Sequence, residues 1–286
     1  MAPRCCLVLI AALALAITAP AAGAAPTSSH VVLIVLENHE FDEVIGAPEA
    51  PFLNGLATRG ALATNYHAIG HPSLPNYLAL LGGSTYGVGE NCGGCMTPGP
   101  NLATQLSAAG IAWRAYMGAM PRACFAGAEA GQYVKRHNPF MHSRAVASDP
   151  ALCRRVVPET GLDADLRRHR LPAFAWLSPN LCADGHDCLL TNADRHLAAL
   201  IPRITPQLGP HGLLVVTFDE GTSDADCCGG TAGGRVATIL AGPDVPPGTL
   251  LRRPFDHYSL LAALEDRFGL ARLRHARGAD PLPLAG

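Results

Sequence analysis

The chain has 286 residues, with 21 Lys plus Arg against 23 Asp plus Glu and 49% hydrophobic side chains. That is apolar material for one sizeable core. The near-balanced charge, with no basic stripe interleaved with aromatics, argues against a nucleic-acid partner.

Residues 1–24 carry the pattern of a cleaved export signal. Arg4 is a short positive region, Cys5 to Ile17 is apolar but too short to span a bilayer comfortably, and Ala22-Gly23-Ala24 is an A-x-A cleavage site. The expectation is a secreted protein whose residues 25–286 form a single domain with no stable membrane span. Setting Cys5 and Cys6 aside leaves eight cysteines, and an even number in an exported chain reads as disulfides. Cys182 and Cys188 are expected to close a short loop, and Cys227 and Cys228 to bond to different partners. Cys92-x-x-Cys95 alone fits zinc or redox chemistry, but no second such pair accompanies it.

Along the chain, strand-like and helix-like stretches alternate, the pattern of a doubly wound α/β sheet. The apolar run 31–36 predicts a buried strand leading into a loop over 37–46. Residues 51–60 predict a helix. The turn His71-Pro72-Ser73-Leu74-Pro75-Asn76 opens a helix over 77–81. The Gly- and Cys-rich stretch 82–100 predicts loop. A helix over 101–109 and a strand over 111–116 follow. Residues 121–158 predict an irregular, cysteine-bearing cover for the site. A strand over 173–177 feeds the loop 178–188. A helix over 194–204, strands over 213–218 and 236–240, and an amphipathic helix over 258–268 ended by Gly269 complete the set.

The two most apolar strands end alike, at Glu37-Asn38 and at Asp219-Glu220. Open parallel sheets bind ligands outside the carboxyl ends of their strands. Two strands that deliver acids to that edge make an oxygen-rich site for a divalent cation; Mg²⁺, Ca²⁺, Mn²⁺ and Zn²⁺ are all compatible with it. Ser73, in a turn at a helix start, fits either a helix N-cap or a nucleophile facing an anion held by backbone N–H groups. His137 and His186 could each donate a proton to a leaving oxygen. His257 is a weaker candidate, and His39, His67 and His71 lie nearby without a ranked role. No G-x-S-x-G elbow is present, which weighs against an ordinary serine esterase.

The stretch Glu37-Asn38-His39-Glu40-Phe41-Asp42-Glu43-Val44-Ile45-Gly46 resembles the E-N-x-x-F-D-x-x-x-G opening of the bacterial phosphoesterase family. That family holds secreted acid phosphatases and phospholipases C of the alkaline phosphatase superfamily. His71-Pro72-Ser73-Leu74-Pro75-Asn76-Tyr77, Lys135-Arg136-His137-Asn138-Pro139, Pro179-Asn180 with His186-Asp187, Phe218-Asp219-Glu220-Gly221 and His257-Tyr258-Ser259-Leu260 follow in the family's order. Ser73-Leu74-Pro75-Asn76 is also similar to the Thr-Phe-Pro-Asn turn of nucleotide pyrophosphatases/phosphodiesterases, with Asn91 where that group keeps an asparagine for phosphoryl oxygens. The resemblance implies an alkaline-phosphatase-like three-layer α/β/α sandwich with a mostly parallel central sheet. It implies a divalent metal ion on Glu37, Asn38, Asp219 and Glu220, catalysis by Ser73 with His186 or His137, and substrate contacts from Asn91, Asn76 and Asp187. The implied substrate is a phosphate monoester, with phosphoinositides such as phosphatidylinositol 3-phosphate and hence a lipid head group among the candidates. The alternative is phospholipase C or other diester hydrolysis at the same site. The chain is shorter than the family's phospholipases C. Its second acid pair is Asp-Glu where some relatives have Asp-Asp, which lengthens the reach of Glu220.

Overall fold

A computed structural model of the protein describes residue 1, residues 29–229 and residues 231–284. The export signal expected over 1–24, with Cys5 and Cys6, lies outside the described residues. Among the described residues, no helix is long and apolar enough to cross a membrane.

Unbroken runs rich in Val, Ile and Leu form the two central strands, which are covered on both faces. Its strands are β1 (Val31–Leu36), β2 (Ala61–Ala63), β3 (Trp113–Met117), β4 (Val156–Pro158), β5 (Phe174–Ser178), β6 (Leu213–Phe218), β7 (Thr238–Ala241) and β8 (Thr249–Leu251). They lie in the order β8-β2-β7-β6-β1-β5-β3-β4. Only β7 runs against its neighbours β2 and β6; every other pairing in this sheet is parallel. All residues of β1 and β6 are buried.

Six helices flank the sheet: α1 (Pro51–Arg59), α2 (Ser73–Gly82), α3 (Leu102–Ala108), α4 (Thr160–Arg167), α5 (Leu190–Ile204) and α6 (His257–Arg267). One layer holds α1, α4 and α5. In α5, Leu190, Ala193, Leu197, Leu200, Ile201 and Ile204 form a buried stripe at helical spacing. Asp194 of α5 accepts hydrogen bonds from the Phe52 and Leu53 N–H groups, 3.1 and 2.8 Å, and so caps α1 from a neighbouring helix. The other layer holds α2, α3 and α6, with α2 buried along its whole length. The result is a three-layer α/β/α sandwich with a mostly parallel sheet, as the resemblance implied.

Several details differ from the sequence reading. The segment 121–158 is more ordered than expected: it contains short helices and supplies the edge strand β4. Strands β2 and β8 have three residues each and carry no periodic signal of their own. Helix α2 begins at Ser73 rather than at Tyr77, with Pro72 in the capping position, so Ser73 is not an N-cap. Cysteines pair as Cys92–Cys95, Cys124–Cys153, Cys182–Cys188 and Cys227–Cys228. The last corrects the expectation of different partners. Neighbouring cysteines rarely pair because their Cα atoms lie close together, but here the chain turns through Cys228 at φ 58°, inside a hairpin between 226–227 and 231–232.

Candidate active site

The register of β1 on β6 pairs Leu36 with Phe218, so Glu37 and Asp219 leave the sheet side by side. The Asp219 N–H donates to the Leu36 carbonyl at 2.9 Å, and the Glu37 N–H to the Asp184 carbonyl at 3.0 Å. Asn38 turns the chain at φ 49°, a left-handed conformation that Asn tolerates. The turn aims its N–H at Asp219 Oδ1, 3.3 Å away. Glu37, Asp184, Asp219 and Glu220 are all buried. Burial, then the charges of Asp219 and Asp184, hold Glu37 well above the usual carboxylate range. Burial and Glu220 do the same to Asp219, and burial pushes Asp184 up to about 8.

Ser73 stands over this group at the start of α2. Its hydroxyl is within hydrogen-bonding distance of Glu220 Oε1 at 3.0 Å and Glu37 Oε2 at 3.2 Å. The Tyr77 hydroxyl, one helical turn on, donates to the other Glu37 oxygen. His71 Nδ1 meets Glu220 Oε2, and His71 Nε2 donates to the Ser223 carbonyl at 3.0 Å. Both oxygens of Glu220 are therefore engaged. Asn91 Oδ1 accepts from the Leu74 N–H at 3.0 Å, which places its amide at the helix N-terminus beside Ser73. Asn76 is buried beneath the turn. Its Oδ1 accepts from the Ile69 and Gly70 N–H groups, and its Nδ2 donates to the Gly70 and Pro72 carbonyls. That geometry makes Asn76 the clamp of the serine turn, with both ends of its amide bound to main chain.

The two candidate histidines meet different environments. His137 is buried, stacks on Tyr77 with ring centroids 5.4 Å apart, and sits 3.3 Å from both Glu37 Oε2 and Asp184 Oδ2. Burial, then the charges of Arg136 and His186, push its pKa well down. His186 is more accessible, and its Nδ1 pairs with the exposed Asp187 at 2.7 Å. His257 lies on the other side, donating Nε2–H to the Asp219 carbonyl at 2.6 Å while Nδ1 accepts from Tyr66 at 3.0 Å. It buttresses the second acid strand from behind. His39 is an edge neighbour of Phe218, and His67 bonds to Asn65.

Asn38 Oδ1, Asp184 Oδ2, Asp219 Oδ2 and His137 Nε2 are buried and have no hydrogen-bond partner among the described residues. Buried polar atoms are otherwise nearly always satisfied. Orphaned oxygens beside crowded carboxylates fit a hard cation, which would satisfy the atoms and neutralise the charge. Glu37, His137 and His186 also offer ligand atoms within 4.8 Å of one another.

The structure thus gathers Glu37, Asn38, Asp219, Glu220, Ser73, His137, His186 and Asn91, with Asp187 at the rim. The sequence reading missed Asp184 and Tyr77. Asp184 was discoverable as an acid in the loop following β5, which ends on the same edge. Tyr77 sits four residues after Ser73 and so one turn along the same helix face.

Comparison with known proteins gives the family and the fold. The phosphoesterase family model matches residues 47–271. The chain is 33% identical over 270 residues to phosphatidylinositol-3-phosphatase of Mycobacterium tuberculosis, covering 92% of this chain and 84% of that protein. It is 33% identical over 256 residues to the phosphate-repressible acid phosphatase of Penicillium chrysogenum, covering 85% of this chain but only 59% of that longer protein. In fold it is similar to an alkaline phosphatase superfamily protein from Vibrio parahaemolyticus, at a TM-score of 0.61 and 13% identity, over 88% of this chain and 70% of that one. It is also similar to the phosphonate monoester hydrolase of Agrobacterium radiobacter, at a TM-score of 0.57 and 13% identity, over 85% of this chain and 74% of that one. The chain belongs to the phosphoesterase family and is a hydrolase of phosphoric esters.

Proposed function

We propose that the protein is a secreted, metal-dependent acid phosphatase that cleaves phosphate monoesters through a phosphoserine. The observation that carries the reading is the Ser73 hydroxyl, held within hydrogen-bonding distance of Glu37 and Glu220 beside buried oxygens that lack partners. Glu37, Asn38 and Asp219 would hold the divalent cation, with Glu220 and His137 flanking it. When bound, the cation supplies positive charge that lowers the serine pKa and polarises the phosphoryl group.

Ser73 Oγ passes its proton to Glu220 and attacks phosphorus. The bond from phosphorus to the ester oxygen breaks, and that oxygen takes a proton from His186, which Asp187 orients. Asn91 and the N–H groups of the first turn of α2 face the phosphoryl oxygens. Water then attacks phosphorus and gives a proton back to His186, the Ser73–phosphate bond breaks, Ser73 Oγ takes its proton back from Glu220, and inorganic phosphate leaves. Buried His137, 3.3 Å from Glu37 and from Asp184, flanks the acids, and the more accessible His186 is the proton donor. The mycobacterial relative's name supports phosphoinositides such as phosphatidylinositol 3-phosphate among the substrates.

The test is turnover of a chromogenic phosphate monoester by the wild type and Ser73→Ala, with acid-quenched protein analysed for phosphate on Ser73. A phosphorylated Ser73 in the wild type and loss of turnover in the variant support the reading. Near-normal turnover by Ser73→Ala removes it.

A further inference from the structure

The loop after β6 leaves the site at Gly221, runs out through a hairpin and returns past Arg235 towards β7. Along the way it is exposed from Thr222 to Asp224. Yet one of its atoms meets the serine's surroundings: the Ser223 carbonyl fixes His71, and His71 faces Glu220, which accepts from Ser73. Something must hold an exposed loop still enough for that chain of contacts.

The geometry points to Glu40, and we propose it as the positioning residue for the serine's proton acceptor. This inference rests on the phosphoserine reading above. The Glu40 carboxylate stands at the foot of the loop and accepts from both of its arms. One oxygen takes the Thr222 and Ser223 N–H groups at 2.9 and 3.2 Å, and the other takes Ser223 Oγ at 3.1 Å and the Arg235 N–H at 2.8 Å. Ionised acceptors make the stronger hydrogen bonds, and one carboxylate offers about four acceptor positions, so Glu40 is filled. The Glu40 main chain is itself fixed by Glu43, whose side chain accepts its N–H at 2.9 Å.

Two glycines make room for the carboxylate. A Cβ on Gly221 would fall 2.2 Å from Glu40 Oε2, and one on Gly234 would fall 2.8 Å from it, where φ is already +84°. Arg235 adds a second strap: it pairs with Asp42 at 2.7 Å and lies over the Phe41 ring, 4.4 Å from its centroid. The loop that starts with Glu220 is therefore tied to the loop that starts with Glu37, and Glu40 is the knot. Glu40 touches neither Ser73 nor the orphaned oxygens, so it acts through Glu220 and His71.

The experiment compares Glu40→Gln, Glu40→Ala and Ser223→Ala with the wild type, well below their melting temperatures. Displacement of a reacting group by about 1 Å costs on the order of a hundredfold in rate. Expected is a stepwise loss of kcat, up to about a hundredfold for Glu40→Ala, less for Glu40→Gln and least for Ser223→Ala, with KM changed by less than about threefold. Combining Glu40→Gln with His71→Ala should cost no more than the worse single change, because both act on Glu220. Should Glu40→Ala fail to fold, Ser223→Ala, an exposed substitution, still removes one of the four bonds. Lowered melting temperatures with unchanged kcat in Glu40→Gln and Ser223→Ala would show a purely structural tie and overturn the inference. Ser73→Ala, run alongside, separates the two failures: if it retains turnover the phosphoserine reading falls, whereas a dead Ser73→Ala beside a fully active Glu40→Gln removes only the role of Glu40.

Discussion

Buried carboxylates in this molecule fall into two groups. Away from the carboxyl edge of the sheet, each is answered by donors. Asp165 receives the Arg114 guanidinium at 2.7 Å and the Tyr116 hydroxyl at 2.8 Å. Asp194 receives two main-chain N–H groups, Asp256 the Ser259 N–H, and Glu265 the Leu273 N–H. At the edge, Glu37, Asp184, Asp219 and Glu220 crowd together with no Lys or Arg ion pair among the described residues, and Asp184 and Asp219 each keep an oxygen without a partner there. A fold that satisfies its other buried acids shows that it can do so. The unsatisfied ones are the groups that the proposed cation would answer.

The comparison breaks most directly at the serine. Ser73→Ala should cut kcat on a chromogenic monoester by roughly a thousandfold or more, since loss of a covalent nucleophile removes the step itself. Its circular dichroism spectrum should be unchanged. Next comes a difference of sign between the two groups. In metal-free protein, Asp219→Asn relieves like-charge repulsion and should raise the melting temperature. Asp165→Asn strands Arg114 and should destabilise by about 1–3 kcal/mol. Thermal unfolding of both variants in chelator checks this, and a fall in both would erase the distinction.

The pH dependence sharpens it further. Burial pushes Glu265 up to about 7, above its ordinary 4.5, against the opposing Leu273 N–H. The folded state therefore holds that proton more tightly than the unfolded chain does. This contribution to stability is complete below about 4.5 and is lost as pH rises through about 7. Glu265→Gln should flatten the fall in melting temperature between pH 5 and 8, at about 2–4 °C per kcal/mol. The smallest effect belongs to the rim. Asp187→Asn, whose carboxylate is 53% exposed, should lower kcat only about two- to fivefold through looser orientation of His186. A larger loss would mean that Asp187 contacts substrate.

The acid-bearing strands were legible in the sequence because unbroken Val, Ile and Leu runs have one reading in an α/β pattern, and because both end in acids. The pairing of Leu36 with Phe218 then brings Glu37 and Asp219 together. The sheet's short strands were not legible: three residues such as Ala61–Ala63 cannot show a period, and long-range pairing alone makes them strands. Ser73 was legible as a special serine but not its position, since only the fold shows that Pro72 caps the helix and frees the hydroxyl for carboxylates. Asp184 and Tyr77 escaped because their proximity to Glu37 is tertiary. Asn76 was visible through its motif, yet its hydrogen bonds to residues 69, 70 and 72 clamp the turn.

On the proposed function, the crowded, unpartnered acids at the sheet edge form a divalent cation site that Ser73 needs. Melting temperature and phosphate release, followed on the same protein in chelator and after addition of Mg²⁺, Ca²⁺, Mn²⁺ or Zn²⁺, test it most directly. One of these ions should raise the melting temperature, adding about 2.7 kcal/mol of stability at a hundred times its Kd, and restore release lost to the chelator. Equal melting temperatures and equal release with and without chelator would contradict it.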